Sequence, residues 1–261
     1  MLAEMGVPVW WPEPAAPAAD DGPDPAGATR PPGAVPPPAR TSSPQGAVSA
    51  VDAQPPGPVV HTDEARRPVG VDGMDWTQLR AAVEGCQACG LCRGRRNTVF
   101  GVGDTGARWM VIGEAPGERE DLQGEPFVGP AGRLLDNMLR SIGVSREGEG
   151  ASGAYVANVL KCRPPANRNP QPEEVVQCEP FLKRQVALVQ PRLILAMGRF
   201  AVQSLLRTTE PIGRLRGRIH HYEGVPVVVT YHPAYLLRNL PDKAKAWADL
   251  CLAREWFDRG S

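Results

Sequence analysis

Four apolar runs at residues 109–112, 154–160, 193–196 and 225–230 are separated by stretches whose apolar residues recur at helical spacing. Runs this short, bounded by turn residues, read as strands buried on both faces. Between them, Leu134, Leu135, Met138, Leu139 and Ile142 predict a helix stopped by Gly143. Pro172-Glu173-Glu174 opens another, reaching about Gln190, with proline in its first turn and acids at its positive end. Further helices are expected from Arg199 to Leu206 and, amphipathic, from Leu240 to Phe257. Trp76, Leu79, Ala82 and Val83 predict a short helix that delivers the chain to Cys86. Strands alternating with such helices give an α/β fold, a mainly parallel sheet with helices on both faces. In such sheets ligands bind beyond the carboxyl ends of the strands. Residues 113–117, Asn158 and His232 fall there.

The pattern is confined to residues 75–261. Of the 29 prolines, 16 lie between Pro8 and Pro68, and residues 1–74 carry 4 Lys+Arg against 9 Asp+Glu. The remainder carries 25 against 20, so the formal net charge of zero is a cancellation between an acidic segment and a mildly basic one. A Pro/Ala-rich segment with few aliphatic residues cannot bury enough surface to offset its ordering entropy, so residues 1–74 are expected to be a disordered tail. Its apolar cluster of Val7, Val9, Trp10 and Trp11 reads either as part of a floppy tail or mis-assigned start, or as a docking peptide for a replication or repair protein. No run of about 18 apolar residues exists to span a membrane. Met1-Leu2-Ala3-Glu4 has neither the basic region nor the apolar core of a secretory signal. A cytoplasmic, nucleoid-associated bacterial protein is expected, acting as a monomer.

Six cysteines are too few for a disulfide scaffold in a chain of 261 residues. Cys86-x2-Cys89, Cys162 and Cys178 have an order that suits one four-thiolate site, which selects zinc or an iron–sulfur cluster without deciding between them. Cys92 makes an equally good local pair with Cys89 and is read as a spare thiol beside the site. Cys251 is expected in the core.

Several ordered motifs go further. Cys86-Gln-Ala-Cys89-Gly-Leu is followed by Gly113-Glu-Ala-Pro-Gly117 with Glu120-Asp121, then by Glu125-Pro-Phe127-Val-Gly-Pro-Ala-Gly132. Asn158-Val-Leu-Lys-Cys162-Arg-Pro-Pro, Cys178-Glu-Pro-Phe-Leu and His232-Pro-Ala-Tyr-Leu-Leu-Arg238-Asn complete the series. Over residues 78–258 the chain resembles the family 4, iron–sulfur uracil-DNA glycosylases. The resemblance implies a three-layer α/β/α sandwich on a four-stranded, mainly parallel sheet. It implies a structural [4Fe–4S] cluster held by Cys86, Cys89, Cys162 and Cys178, and hydrolysis of the uracil–deoxyribose bond in DNA. The related branch that cross-links to uracil-DNA carries a histidine between the Asn motif and the last cysteine, and this chain has none there.

The residues suit that chemistry. A glycosylase extrudes its target nucleotide and reads it by stacking and by its Watson–Crick edge. Phe127 can stack on a base, and the Asn158 amide offers the donor and acceptor that complement uracil N3–H and O4. His232 can donate to O2 as negative charge grows there. Glu114, by resemblance, lines the pocket with Ala115 and Pro116. Glu114, or secondarily Glu120 or Asp121, can position water or stabilise the cationic sugar, unless these acids only favour a helix N-terminus. DNA contacts are expected from Lys161, Arg163, Arg168, Arg214, Arg216, Arg218 and Arg238, with Leu236 or Leu237 wedging into the base stack. With no obvious lysine nucleophile, the enzyme is expected to be monofunctional. The alternative is a metal-stabilised, non-catalytic DNA-binding module associated with replication.

Overall fold

The computed structural model describes residues 68–259. The tail expected over residues 1–74, with its Val7–Trp11 cluster, lies outside the described residues as far as residue 67. The last residues assigned to it do not behave as a tail. Val71, in a 3-10 turn at Val71–Gly73, is buried, and the Met74 carbonyl accepts a hydrogen bond from Arg184 Nε at 2.6 Å.

The elements run α1 (Trp76–Glu84), β1 (Val102–Gly103), β2 (Trp109–Gly113), α2 (Glu118–Gln123), α3 (Gly129–Arg140), β3 (Ala154–Asn158), α4 (Pro172–Val189), β4 (Leu193–Met197), α5 (Arg199–Leu206), α6 (Ile212–Leu215), β5 (Ile219–Tyr222), β6 (Val225–Thr230), α7 (Pro233–Leu236) and α8 (Asp242–Arg259). One sheet holds the strands in the order β1-β3-β2-β4-β6-β5. The four expected strands are its parallel centre. To these the structure adds antiparallel edges, β1 on β3 and β5 on β6. The β5–β6 hairpin carries His220 and His221 near the surface.

Side-chain alternation along the central strands divides the core in two. Trp109, Val111, Val156, Leu195 and Val228 face α3 and α8, while Met110, Ile112, Ala157, Ile194, Val227 and Val229 face α4 and α5. This is the expected three-layer sandwich. Trp109 stacks on Phe257 at 4.4 Å between centroids, fixing α8 on the sheet. A third cluster, with Leu79, Val83, Leu160 and Phe181, seats α1 beside the cysteines. Cys251 is exposed on α8 rather than in the core, because its side of that helix faces away from the sheet.

The chain leaves β2 for β3 on one side and then crosses to β4 on the other. The strand order therefore reverses around β2, which opens a crevice at the carboxyl ends of these strands. Gly113 and Asn158 are register partners at the end of β2 and β3.

Candidate active site

A cavity of about 850 Å³ occupies this crevice. Its wall is built by the residues that follow each parallel strand: Glu114, Ala115 and Pro116 after β2, Gly198 and Arg199 after β4, and Tyr231 and His232 after β6, with Asn158 closing β3. Phe127 comes from the loop between α2 and α3. Three stretches far apart in sequence thus bring Phe127, Asn158 and His232 into one cavity.

Two glycines make that convergence possible. A Cβ on Gly113 would lie 2.5 Å from both Asn158 Oδ1 and Phe127 Cζ, so only glycine lets the two side chains cross the end of β2. A Cβ on Gly198 would lie 2.9 Å from His232 Cβ. The Phe127 and His232 rings lie 5.3 Å apart between centroids with 23° between their planes. Asn158 is 2% exposed. Its side-chain amide makes no hydrogen bond among the described residues, which leaves both its donors and its acceptor to whatever enters the cavity.

The tautomer of His232 follows from its cap. Its Nδ1 accepts the Ala234 N–H at 3.1 Å as α7 begins. Burial, together with the charge of Arg238, brings its pKa down to about 4. The ring is therefore neutral near pH 7, and with Nδ1 accepting, its proton sits on Nε2. Glu114 is shifted the other way. Burial pushes its carboxyl up to about 7, against the pull of the Arg199 guanidinium.

The acids of α2 separate by contact. Glu120 lines the cavity, but its Oε1 accepts the Val128 N–H at 3.2 Å. Asp121 is buried away from the cavity, where it accepts from the Arg96 N–H at 2.9 Å and ties down the segment before β1. Both acids, with Glu118, also lie in the first turn of α2, a helix the sequence reading left open.

The basic residues divide similarly. Arg168 and Arg238 line the cavity. Arg238 is exposed at its mouth, whereas Arg168 is held by Glu174 through contacts of 2.9 and 2.5 Å. Arg163 bonds Asn167 Oδ1 at 2.8 Å and lies 3.9 Å from Glu118. Lys161, expected on DNA, is instead 1% exposed, with its ammonium on the Asn158 carbonyl at 2.7 Å and on Gln185 Oε1 at 2.6 Å. Arg216 likewise turns inward to Asp249 at 2.7 Å, while Arg214 and Arg218 stay exposed. Leu236 is core at 1% exposure, so only Leu237, 42% exposed, is free to wedge. Arg119, Arg199, Tyr231 and Tyr235 line the cavity without having been singled out in the sequence. Their position just after a strand or beside a motif was the available signal.

Cys86, Cys89, Cys162 and Cys178 line one small cavity between α1, the end of β3 and α4, and Cys92 lines it too. The Cys162 sulfur accepts from Arg95 Nη1 at 3.2 Å, Cys178 from the Lys161 N–H at 3.3 Å, and Cys86 from the Ala88 N–H at 3.5 Å. Donors aimed at sulfur, with two cations beside them, suit thiolates holding a metal centre. Burial pushes the Cys178 thiol up to about 12, so in the metal-free protein it stays protonated. Among the described residues no three His, Cys, Asp or Glu side chains close round a single ion.

A mainly parallel α/β sheet whose switch point opens into a cavity lined by an aromatic ring, an amide and an imidazole defines an α/β protein with a ligand site at its strand ends. The family model described as the uracil DNA glycosylase superfamily matches residues 100–251, and the chain belongs to that family. Similar proteins include the type-4 uracil-DNA glycosylase of Archaeoglobus fulgidus, 45% identical over 160 residues, which are 58% of this chain and 78% of that protein. The type-4 enzyme of Thermotoga maritima is 43% identical over 159 residues, 60% and 80% of the two chains. That of Pyrobaculum aerophilum is 38% identical over 189 residues, 69% and 93%.

Proposed function

We infer that the chain is a monofunctional DNA repair glycosylase that hydrolyses the N-glycosidic bond of uracil in DNA, releasing uracil and leaving an abasic site. The reading rests most on the meeting of Phe127, Asn158 and His232 in one cavity beyond the strand ends, with a neutral His232 whose Nε2–H is free to donate. It is supported by membership of the family and by relatives named as type-4 uracil-DNA glycosylases.

In this mechanism the extruded uracil lies on Phe127, and the Asn158 amide donates to O4 and accepts from N3–H. Cytosine presents the reverse pattern and is refused. As the bond between N1 and the sugar lengthens, His232 Nε2–H stabilises the negative charge on O2. One preorganised donor of this kind is worth about 2.7–4 kcal/mol of barrier. Ionised Glu114 faces the positive sugar and holds the water whose oxygen joins C1′, and the water's proton passes to Glu114. Glu120, with Ala115 and Pro116, shapes the same wall. Arg163, Arg168 and Arg238 hold the phosphates around the opening, and Leu237 fills the gap left in the stack.

Cys86, Cys89, Cys162 and Cys178 would hold a [4Fe–4S] cluster, for which the sulfur-directed donors and the cavity they share are the support. When bound it supplies cross-linking between α1, the end of β3 and α4, and no redox step. The substrate would be met on the chromosome in the cytoplasm by a monomeric enzyme, whose N-terminal segment would engage a replication or repair protein.

The test is a gel assay on uracil-containing single- and double-stranded oligonucleotides with thymine and cytosine controls. Alkali-labile product from uracil alone is expected, together with loss on His232→Ala of about 10²–10³-fold in rate. DNA binding without release of any base would overturn the enzyme reading in favour of a non-catalytic DNA-binding module.

A further inference from the structure

The loop that presents Phe127 is strained, and it is fastened from outside the cavity. Phe127 has φ 53°, in the left-handed region that a bulky aromatic residue avoids. Such a conformation persists only where its surroundings over-determine it. Here one guanidinium grips two successive carbonyls: Arg146 Nη1 donates to Pro126 O at 3.1 Å and Nη2 donates to Phe127 O at 3.3 Å. Its third edge is anchored, Nε donating to Asp136 Oδ1 on α3 at 2.7 Å. On the far side of the loop, the Val128 N–H is held by Glu120. Gly132 completes the seat, since a Cβ there would land on the Phe127 carbonyl.

Arg146 lies beyond the cavity lining and outside every motif described above, yet it ends on the backbone of the residue that faces the base. We propose that Arg146, aimed by Asp136, is a positioning residue for base release, setting the angle at which the Phe127 ring meets the extruded uracil. The inference rests on the glycosylase reading and adds a component to it. Arg146 touches no reacting atom and acts only through Phe127. Because the Phe127 and His232 rings are neighbours at 5.3 Å, a loop that swings also disturbs the face along which the imidazole approaches the base.

A purely structural role for Arg146 would lower stability without any dependence on the Phe127 ring, so the discriminating experiment is a double-mutant cycle. Single-turnover uracil release would be measured for the full-length wild-type chain, Arg146→Met, Phe127→Ala and the double variant, with thermal melting of each. Arg146→Met should slow release at saturating DNA by about 10–100-fold, the scale of a small misplacement far from the chemistry. KM should move much less. In the Phe127→Ala background the same change should cost less than about twofold, because there is no ring left to aim. Arg146→Lys keeps a charge but not the two-pronged grip and should recover part of the rate. Asp136→Asn loosens the anchor while retaining an acceptor; it should repeat the Phe127-dependent loss on a smaller scale, and it serves if Arg146→Met does not fold. Equal losses in both backgrounds, or an Arg146→Met rate within twofold of an active wild type, would overturn the inference alone. A wild-type chain that releases no uracil would overturn the glycosylase reading and this inference with it.

Discussion

At Gly113 a missing methyl group decides whether the cavity can form. Gly113→Ala would drive a Cβ to 2.5 Å from Asn158 Oδ1 and Phe127 Cζ. It should cost at least about 10-fold in kcat/KM, since displacement of this order at the reacting centre is severe, and uracil-release kinetics would show it. Glu114 gives the pH dependence. Its folded-state pKa of about 7 lies above the ordinary 4.5, because burial disfavours the ionised form. In the proposed mechanism the working form is the carboxylate, so kcat/KM should climb from pH 5 to about 7 and then level, and Glu114→Gln should flatten the climb. Stability runs in the opposite sense. A raised folded-state pKa contributes stability that is present below the unfolded value and lost as pH rises through the folded one. Glu114→Gln should therefore melt higher than wild type at pH 8, but not at pH 4, in thermal denaturation. His232, at about 4, stays neutral across this range and adds no second limb.

Among the elements, the four parallel strands and their long helices were legible in the sequence because each strand is an unbroken apolar run buried on both faces. The edge strands were not. β1 has two residues and β5 reads Ile-His-His-Tyr, polar enough to look like surface. The six-residue α2 carries Glu, Arg and Asp, and its acids read equally well as catalytic groups. Charge was the least legible property, because sequence does not tell whether a cation meets water or a buried acceptor. Lys161 has the second kind of partner. Gln185 joins its ammonium to the Phe100 carbonyl at 2.9 Å and the Tyr155 hydroxyl at 3.1 Å. Gln185→Leu would take one partner from each of these groups, leaving the Lys161 ammonium the Asn158 carbonyl alone, and should destabilise the fold by roughly 2–4 kcal/mol, read by denaturant unfolding. A loss below about 1 kcal/mol would show that the network carries little.

For the molecule as a whole, the site was legible to the extent that motifs sit at strand ends, where the topology gathers them. Arg146, Arg199 and Gly198 escaped because their roles arise only when the chain is folded. The cysteine site and the base site are joined through one short segment: Asn158 ends β3, Lys161 bonds its carbonyl, and Cys162 follows. Removing the proposed cluster by chelation under oxidising conditions should lower the melting temperature and slow uracil release together. Iron content and melting curves on the same samples check this, and full activity in iron-free protein would contradict it.

Asn158 offers the most direct test of whether this cavity reads uracil. The measurement is the single-turnover rate of base release by Asn158→Asp and by wild type, on otherwise identical oligonucleotides bearing uracil or cytosine. A carboxylate cannot donate to O4, so the variant should lose at least about 100-fold on uracil, and wild type should leave cytosine intact. An Asn158→Asp protein that released uracil at the wild-type rate would contradict the assignment of this cavity as the base-reading site.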